Sequence, residues 1–442
     1  MRADLAIVGT GLSGSRALIE LVARLAQGPR PRRPFEVILF DRAGEFGRGI
    51  PYGANSDRRA MLIEDLRGTR CPEFLAWVRA HPQELESLGE GCDDDRAWHA
   101  RNAAAISAGA FEELYLPRHV FGTFSRRLLE AAMDEGGARG LLRVVRRIEE
   151  IVDISPADDG FELATAAGAR IAAAQVLLAV GSIPRHDAHQ GKLGDAWRHR
   201  YVCDTDFCGS FALRNAFDRF QRESPTGDVR LAIIGAAASA IESLYCAMHH
   251  GAFSKRIVNV TTLSGSGMLP GGLGGGSEAP VSEYARLRSS AADYVLTARA
   301  LQDAGQLAIL AARLQSVRGY GDALRIEAER PHDGSEVVVD ADLVINCSGA
   351  GRVQSTPSRL LRSLARKLAV RREGRGFAVR EDHSLVDWPR MHVAGPLLNG
   401  GSAASDVESI SAVFRVGREL GASLAAALNA EAGAAHLARD VG

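Results

Sequence analysis

The stretch DLAIVGTGLSGSRALIELV, close to the amino terminus, constrains the fold more than any other part of the chain. Leu5 to Val8 is a short apolar run that reads as a buried strand. Gly9, Gly11 and Gly14 then fill G-x-G-x-x-G, and Ala17, Leu18, Leu21, Val22 and Leu25 recur at helical spacing up to Gly28. The first glycine permits a tight turn, the second lets backbone approach a pyrophosphate, and the third lets helix pack on strand. The helix amino terminus offers free N–H groups and a positive dipole end to the anion. A second apolar run, FEVILFD, ends at Asp41, 32 residues after Gly9, where a carboxylate can accept hydrogen bonds from a ribose diol. Strand, turn, helix, strand and acid in that order predict a dinucleotide-binding unit.

The remaining length has to be explained. At 442 residues the chain is long for one domain and suits two intertwined ones. Hydrophobic residues make up 46%, enough for a large core. The formal net charge is -1, from 53 basic and 54 acidic residues, so no basic footprint argues for nucleic acid or an anionic membrane. No apolar run approaches the roughly 20 residues of a membrane helix, and LAIVG is too short for a signal-peptide core, so a cytoplasmic location is expected.

The same plan occurs a second time. RLAIIGAAASAIESL (230–244) runs from a buried strand through Gly235 into a helix, with Ala237 and Ala240 in the other two glycine places. Downstream of each start lies a hairpin followed by a strand. The first is GFELATAAGARIAAAQVLLAVG, read as a strand, a turn at Ala167-Gly168 and two further apolar stretches ending at Gly181. The second is ALRIEAERPHDGSEVVVDADLVINCSG, with a turn at His332-Asp333-Gly334 and an end at Gly349. A last strand, MHVAG, comes after both.

The expected fold is therefore α/β, with two Rossmann-like dinucleotide-binding domains, the second inserted in the first. The expected boundaries are 1–224 and 351–442 for the outer domain and 225–350 for the inner one. Ser405 and Glu408 form a capping box for a closing helix, striped by Val407, Ile410, Val413, Phe414 and Leu420. Gly400, Gly401, Ser402 and Ala403 place bare N–H groups near that helix start.

Six cysteines (Cys71, Cys92, Cys203, Cys208, Cys246, Cys347) include no C-x-x-C pair, which argues against a thioredoxin-type disulfide reductase. Asp204 and Asp206 between Cys203 and Cys208, and the pair His186 and His189, lack the partners of a zinc site. No metal is expected.

The two-unit plan resembles the two-dinucleotide-binding-domain flavoproteins. LLAVGSIP (177–184) resembles their Ala-Thr-Gly strand motif, with Val180 in the threonine place. FDRAGEFGRGIPYG (40–53) and YLPRHVFGTF (115–124) resemble the FAD/NAD(P)-binding proteins related to bacterial N-hydroxylating flavin monooxygenases. The resemblance covers most of the chain. It implies FAD pyrophosphate at Gly9, Gly11, Ser13 and Gly14, the adenosine ribose on Asp41 and the adenosine beside Arg42. It places Gly49 and Tyr52 on the flavin side, Ala179 and Gly181 along the FAD path, and Gly395, Pro396 and Asn399 at the isoalloxazine. A turn anchor is the competing reading of Tyr52, and a loop-stabilising amide that of Asn399.

In such proteins the second unit binds the nicotinamide nucleotide, here at Gly235 and Ser239. Two departures bear on that reading, and a third lies nearer the flavin. Ala237 replaces the glycine that lets backbone approach phosphate. The end of the second unit's second strand reads Ser264-Gly265-Ser266-Gly267, where relatives commonly carry Ser-Arg-Arg-Gly, so neither the arginine that suits NADPH nor the acid that suits NADH is present. Arg286 and Arg288 are alternative basic groups, and PGGLGGGSEAP, between them and the turn, reads as a mobile linker.

The third departure is AMLIEDLRG (60–68), in place of a Leu-Asn-Val-Pro-like segment. Glu64 and Asp65 there cannot both face one way, and one of them, or His119, is a candidate acid, base or amine anchor. A solvated loop charge is the competing reading.

The leading expectation is an FAD-dependent monooxygenase acting on a small, amine-bearing metabolite, with NADPH or NADH as reductant. An FAD oxidase or dehydrogenase reduced by its own substrate is the second reading, and a non-catalytic flavin-bound scaffold the third. Nothing in the sequence sets the oligomeric state.

Overall fold

The computed structural model describes residues 2–54, 56–183, 193–203, 211–274, 290–349, 351–398 and 409–440, with side chains for all of these except 196, 211–212 and 434–440. The first sheet runs in the order Ser384–Leu385, Trp388–Val393, Arg170–Leu178, Arg2–Val8, Phe35–Phe40, Leu142–Arg147. All neighbours from Trp388–Val393 onward are parallel. Parallel strands covered on both faces read as continuous apolar runs, which is why LAIV and FEVILF are buried almost throughout. The antiparallel hairpin Ile151–Ala157 and Gly160–Thr165 joins the sheet along Arg170–Leu178. The stretch expected as two apolar segments after Gly168 is that single nine-residue strand.

A second parallel sheet has the order Leu307–Ala311, Ile257–Ser264, Val229–Ile234, Leu343–Asn346, Tyr201–Cys203. A three-stranded antiparallel sheet, Arg313–Tyr320, Ala323–Glu329 and Glu336–Ala341, lies between Leu307–Ala311 and Leu343–Asn346 in sequence. Trp388–Val393 returns to the first sheet after all of these. The fold is thus α/β with the second dinucleotide-type unit nested inside the first. Two elements ahead of residue 225 serve the second unit. Tyr201–Cys203 is its edge strand, and helix Phe211–Glu223 places Phe217 against Phe253 at 4.9 Å between ring centroids.

Helix Leu12–Gln27 packs on the closing helix Ile410–Asp440. Small residues permit the approach: a side-chain carbon at Gly421 would lie 2.5 Å from Glu20 Cβ and 2.9 Å from the Leu21 backbone nitrogen. Ile410, Val413, Phe414 and Leu420 are buried as the stripe predicts, and Arg16 lies over the Phe414 ring at 4.0 Å. The capping pair Ser405 and Glu408, with Val407 and Gly400 to Ala403, falls outside the described residues.

Two further expectations change. The sequence places Gly251 as a helix-ending glycine after SAIESLYCAMHH, but it opens a helical turn, Gly251–Ser254. The start of the glycine-rich stretch is ordered: Met268–Leu269 and Leu273–Gly274 pair as a hairpin, and Gly271 and Gly272 take the positive φ of its turn. The remainder, with Arg286 and Arg288, lies outside the described residues. Among the described residues no helix is long and apolar enough to cross a membrane.

Candidate functional site: two nucleotide cradles joined by buried ion pairs

The first cradle is built by steric necessity. Gly9 has φ +90°, and a side-chain carbon there would overlap the Ala179 carbonyl oxygen; one at Gly14 would overlap the Gly9 carbonyl oxygen. Gly11 stands against Gly49, with 3.2 Å between its would-be side-chain carbon and the Gly49 Cα. Strand Arg2–Val8 therefore runs into a turn that only glycines fit, and helix Leu12–Gln27 starts directly on it.

Asp41, at the end of Phe35–Phe40, is buried. Its Oδ1 accepts the backbone N–H groups of Ala43 (2.9 Å) and Glu45 (3.1 Å), while Oδ2 has no partner among the described residues. The carboxylate is thus held in place by one oxygen and presents the other, as a ribose diol requires. Arg42, in the same turn, is exposed.

Other predicted positions converge on this turn. Ala179 donates its N–H to the Val8 carbonyl and Ala394 donates to the Leu178 carbonyl, which aligns the strand ends. Gly395 (φ +68°) lies against Ser13, with 2.9 Å from a would-be side-chain carbon to Ser13 Oγ. Pro396 follows in the turn Gly395–Leu398. Gly181 has φ +77° with open space around its Cα. Asn399 falls outside the described residues. The glycines, the small side chains and the free carboxylate oxygen fit FAD.

Tyr52 ends the helical turn Gly49–Tyr52 and packs on Phe121 at 5.1 Å between ring centroids. It abuts helix Arg118–Ala138 so closely that a side-chain carbon on Gly122 would overlap the Tyr52 carbonyl oxygen. Burial pushes the Tyr52 phenol above its usual range; Arg118 opposes this, and Glu64 and Glu242 add to it. Tyr52 thus sits where Arg118, Glu64 and Glu242 come near each other.

The second cradle keeps its first glycine for the same reason as the first. Gly235 has φ +121°, a side-chain carbon there would overlap the Cys347 carbonyl oxygen, and its N–H donates to Leu263 (2.8 Å). Ala237 precedes helix Ala238–Met248 at φ -85°, ψ 178°, ordinary extended backbone for an alanine. Ser239 is half-buried on that helix's first turn. The glycine-to-alanine change therefore costs the fold nothing and matters only to whatever approaches the turn.

Buried polar contacts join the two cradles. Arg118 donates to Met61's carbonyl at 3.0 Å and pairs with Glu242, which lies on helix Ala238–Met248 with its side chain 4% exposed. Burial pushes the Glu242 carboxyl up, and Arg118 opposes it. Tyr294 Oη accepts the Met61 N–H at 2.7 Å and lies 3.5 Å from Glu242. A second pair is more enclosed. Arg59 holds Asp57 through Nε (2.9 Å) and Nη2 (2.6 Å), and its Nη1 donates to the Cys246 carbonyl at 2.7 Å. The loop at 57–61 is thereby fixed to the helix of the second unit. Sequence reasoning missed Asp57, Arg59, Glu242 and Tyr294. An acid within an otherwise apolar stripe, Glu242 in SAIESL, was the available signal.

The three acid–base candidates separate. Asp65 Oδ1 accepts the Gly68 N–H at 2.6 Å, so it stops a turn. Glu64 lies within electrostatic reach of Tyr52. His119 is enclosed among Asp95, Arg58 and Arg48, and Nε2 is 3.5 Å from Asp95 Oδ1. Among the described residues, neither His119 ring nitrogen nor that Asp95 oxygen has a hydrogen-bond partner. Burial pulls the His119 pKa from 6.5 down to about 4, helped by Arg58 and Arg48 against Asp95. The ring is neutral near pH 7, and its enclosure disfavours the protonated form. Among the described residues no group of acids, histidines and cysteines could hold a metal, and Cys71, Cys92 and Cys246 are thiols.

A pH dependence follows from His119 together with His392, which burial also lowers to about 4. The unfolded chain takes up these protons near pH 6.5 and the folded chain only near 4. Stability is therefore full above about pH 6.5 and falls as pH drops toward 4. At 1.36 kcal/mol per unit the loss is about 3 kcal/mol per histidine. Urea unfolding at stepped pH is expected to show a shallower acid slope for His392→Gln than for the parent chain. Equal slopes would contradict the assignment.

Comparison with known proteins bears on the fold. Residues 6–183 fit the family model described as FAD-NAD(P)-binding. An uncharacterized protein of Mycobacterium tuberculosis is 27% identical over 281 residues, which is 60% of this chain and 52% of that protein. The match thus spans about half the length of the curated relative. Among solved structures, L-lysine 6-monooxygenase from Pseudomonas syringae superposes with a TM-score of 0.61 at 15% identity, covering 96% of this chain and 100% of that one. Ornithine hydroxylase from Pseudomonas aeruginosa gives 0.59 at 17% identity, covering 97% and 100%. Thioredoxin reductase from T. acidophilum gives 0.51 at 15% identity, covering 96% and 97%. The chain has the fold of these FAD/NAD(P)-binding oxidoreductases, which include enzymes named as a monooxygenase, a hydroxylase and a reductase.

Proposed function

We propose that this chain is an FAD-dependent monooxygenase, reduced by a nicotinamide nucleotide, that oxygenates a small metabolite at an amine nitrogen. The observation that carries the reading is the clamp between the cradles. Arg118–Glu242 and Asp57–Arg59 tie the helix that starts on the Gly235 turn to the loop beside Tyr52 and Gly49. Burying ion pairs costs desolvation and is repaid only with close geometry. Two nucleotide turns fixed side by side is the arrangement that hydride delivery from one to the other needs.

Gly9, Gly11, Ser13, Gly14 and Asp41 would hold FAD, with Gly395 and Pro396 at its far end. When bound, the flavin accepts a hydride and activates dioxygen; the protein supplies position and a dry pocket. In this reading Glu64 anchors a substrate ammonium beside Tyr52. The lack of a C-x-x-C pair in the sequence favours oxygenation over disulfide reduction. The amine nitrogen is taken from the named activities of the lysine and ornithine enzymes that share the fold.

A second reading has a specific observation behind it. Ala237 carries a methyl group where the first cradle has Gly11, and the Ser264–Gly267 turn has neither acid nor arginine of its own. A substrate-reduced oxidase or dehydrogenase would need neither contact. The discriminating experiment supplies FAD-loaded protein with NADPH, isotopically heavy dioxygen and a panel of diamino acids and short amines. One substrate is expected to stimulate oxygen uptake and to emerge carrying heavy oxygen. If instead a panel member reduces the flavin without NADPH, and no product carries the label, the oxidase reading replaces this one.

A further inference from the structure

Ser264 ends the strand beside Val229–Ile234, and the register pairs Leu263 with Ile234, so the Ser264–Gly267 turn lies alongside the Gly235 cradle. In a dinucleotide unit this is where the adenosine ribose and its 2′ substituent arrive. The turn itself is neutral. Gly265 is exposed, Ser264 and Ser266 hydroxyls are 3.3 Å apart, and Ser264 Oγ accepts the Gly267 N–H at 3.0 Å.

A cation reaches the turn from another strand. Leu307–Ala311 runs parallel on the far side of Ile257–Ser264, with Ala311 opposite Ser264, and Ala312 donates its N–H to the Ser264 carbonyl at 2.8 Å. Arg313 follows at once, opening Arg313–Tyr320. Its side chain comes back over the turn: a carbon placed on Gly265 would lie 3.8 Å from Arg313 Nε and 3.9 Å from Arg313 Cγ. Arg313 is exposed and makes no hydrogen bond or ion pair among the described residues. Glu329, opposite it in the antiparallel register, instead accepts from Gln315 at 3.3 Å.

We propose that Arg313 is the 2′-phosphate anchor of the second nucleotide site, so that this site takes NADPH in preference to NADH. The proposal rests on the reading of the Gly235 turn as a nicotinamide-nucleotide cradle. A guanidinium offers two parallel donors to a phosphate, and the Ser264 and Ser266 hydroxyls stand beside it. Gly265 serves this arrangement by leaving no side chain between the guanidinium and the turn. The arginine expected within the turn is thus supplied in space by a residue 49 positions after Ser264 in the chain.

Binding of nucleotide fragments tests the assignment without turnover. FAD-loaded protein is titrated calorimetrically with 2′,5′-ADP and with 5′-AMP, which differ by the 2′-phosphate. The parent chain is expected to prefer 2′,5′-ADP by about tenfold or more, the worth of one charge-assisted contact of 1.4 kcal/mol or above. Arg313→Glu is expected to remove the preference while flavin content and melting temperature stay unchanged. Arg313→Lys is expected to restore part of it.

Equal affinities in the parent chain, or a preference that survives Arg313→Glu, would overturn the proposal. These results separate from the fate of the monooxygenase reading. Reduction of the flavin by NADH with equal fragment affinities removes Arg313 alone. Arg313-dependent binding of 2′,5′-ADP without oxygen transfer removes the monooxygenase alone.

Discussion

A Gly14→Ala chain is expected to emerge from purification without flavin and with a clearly lowered melting temperature. Gly14 does not have a positive φ, so the cause is space alone. The added carbon would overlap the Gly9 carbonyl oxygen and lie 3.2 Å from both Ala179 Cβ and Ile7 Cγ2. A backbone carbonyl on a buried turn cannot swing aside as a flexible side chain would. Helix Leu12–Gln27 must then lift from the sheet, which moves the N–H groups that face the pyrophosphate. Overpacking of this kind costs about 1–3 kcal/mol, and a backbone partner puts it at the upper end. Gly137→Ala is the control, since nothing lies within 4 Å of the added carbon. The flavin-to-protein absorbance ratio and the melting curve check both. A Gly14→Ala protein with a full complement of FAD would contradict the cradle described above.

The second large effect is expected at the clamp. Arg59→Met leaves the Asp57 carboxylate, fully enclosed with its side chain 0% exposed, without its counter-charge. Burial alone would push Asp57 up; the bidentate Arg59 contact outweighs it and holds the carboxyl below its usual range. Removing one partner of such a pair costs about 3–5 kcal/mol, whereas replacing both by apolar residues is much milder. The double change Asp57→Leu with Arg59→Met is therefore expected to recover most of the stability in urea unfolding.

Both Arg59 variants also lose the contact to the Cys246 carbonyl that ties the 57–61 loop to the second unit. Reduction by NADPH is expected to stay slow in both, even where stability returns. If it recovers together with stability, the pair is a packing element and not a clamp.

What the sequence made legible follows the range of each interaction. Gly9, Gly14 and Gly235 were readable because the strand–turn–helix pattern around each is local, although the atoms that crowd Gly9 and Gly235 belong to Ala179 and Cys347. Asp41 was readable from its place at the end of the next apolar run, 32 residues after Gly9. The nesting of the units was readable from the repeated plan and from MHVAG, which pairs Met391 with Val176.

The clamp was hidden. Arg118 and Glu242 are 124 positions apart, and Arg59 and Cys246 are 187 apart, and no local pattern pairs them. Asp65 looked as reactive as Glu64 in sequence, and only the structure shows that it caps a turn through the Gly68 N–H. The Ser264–Gly267 turn looked bare because the arginine proposed to serve it, Arg313, opens a strand of another sheet, 49 positions after Ser264.

The central claim is that the second cradle delivers hydride to a flavin held in the first. Anaerobic rapid mixing of FAD-loaded protein with NADPH, and separately with NADH, tests it most directly by following loss of the flavin's visible absorbance. The account predicts saturable bleaching by NADPH, with NADH needing far higher concentrations, and slow bleaching after Arg59→Met. A flavin that dithionite reduces but neither nucleotide bleaches would contradict it, and would leave Gly235 as the relic of a site.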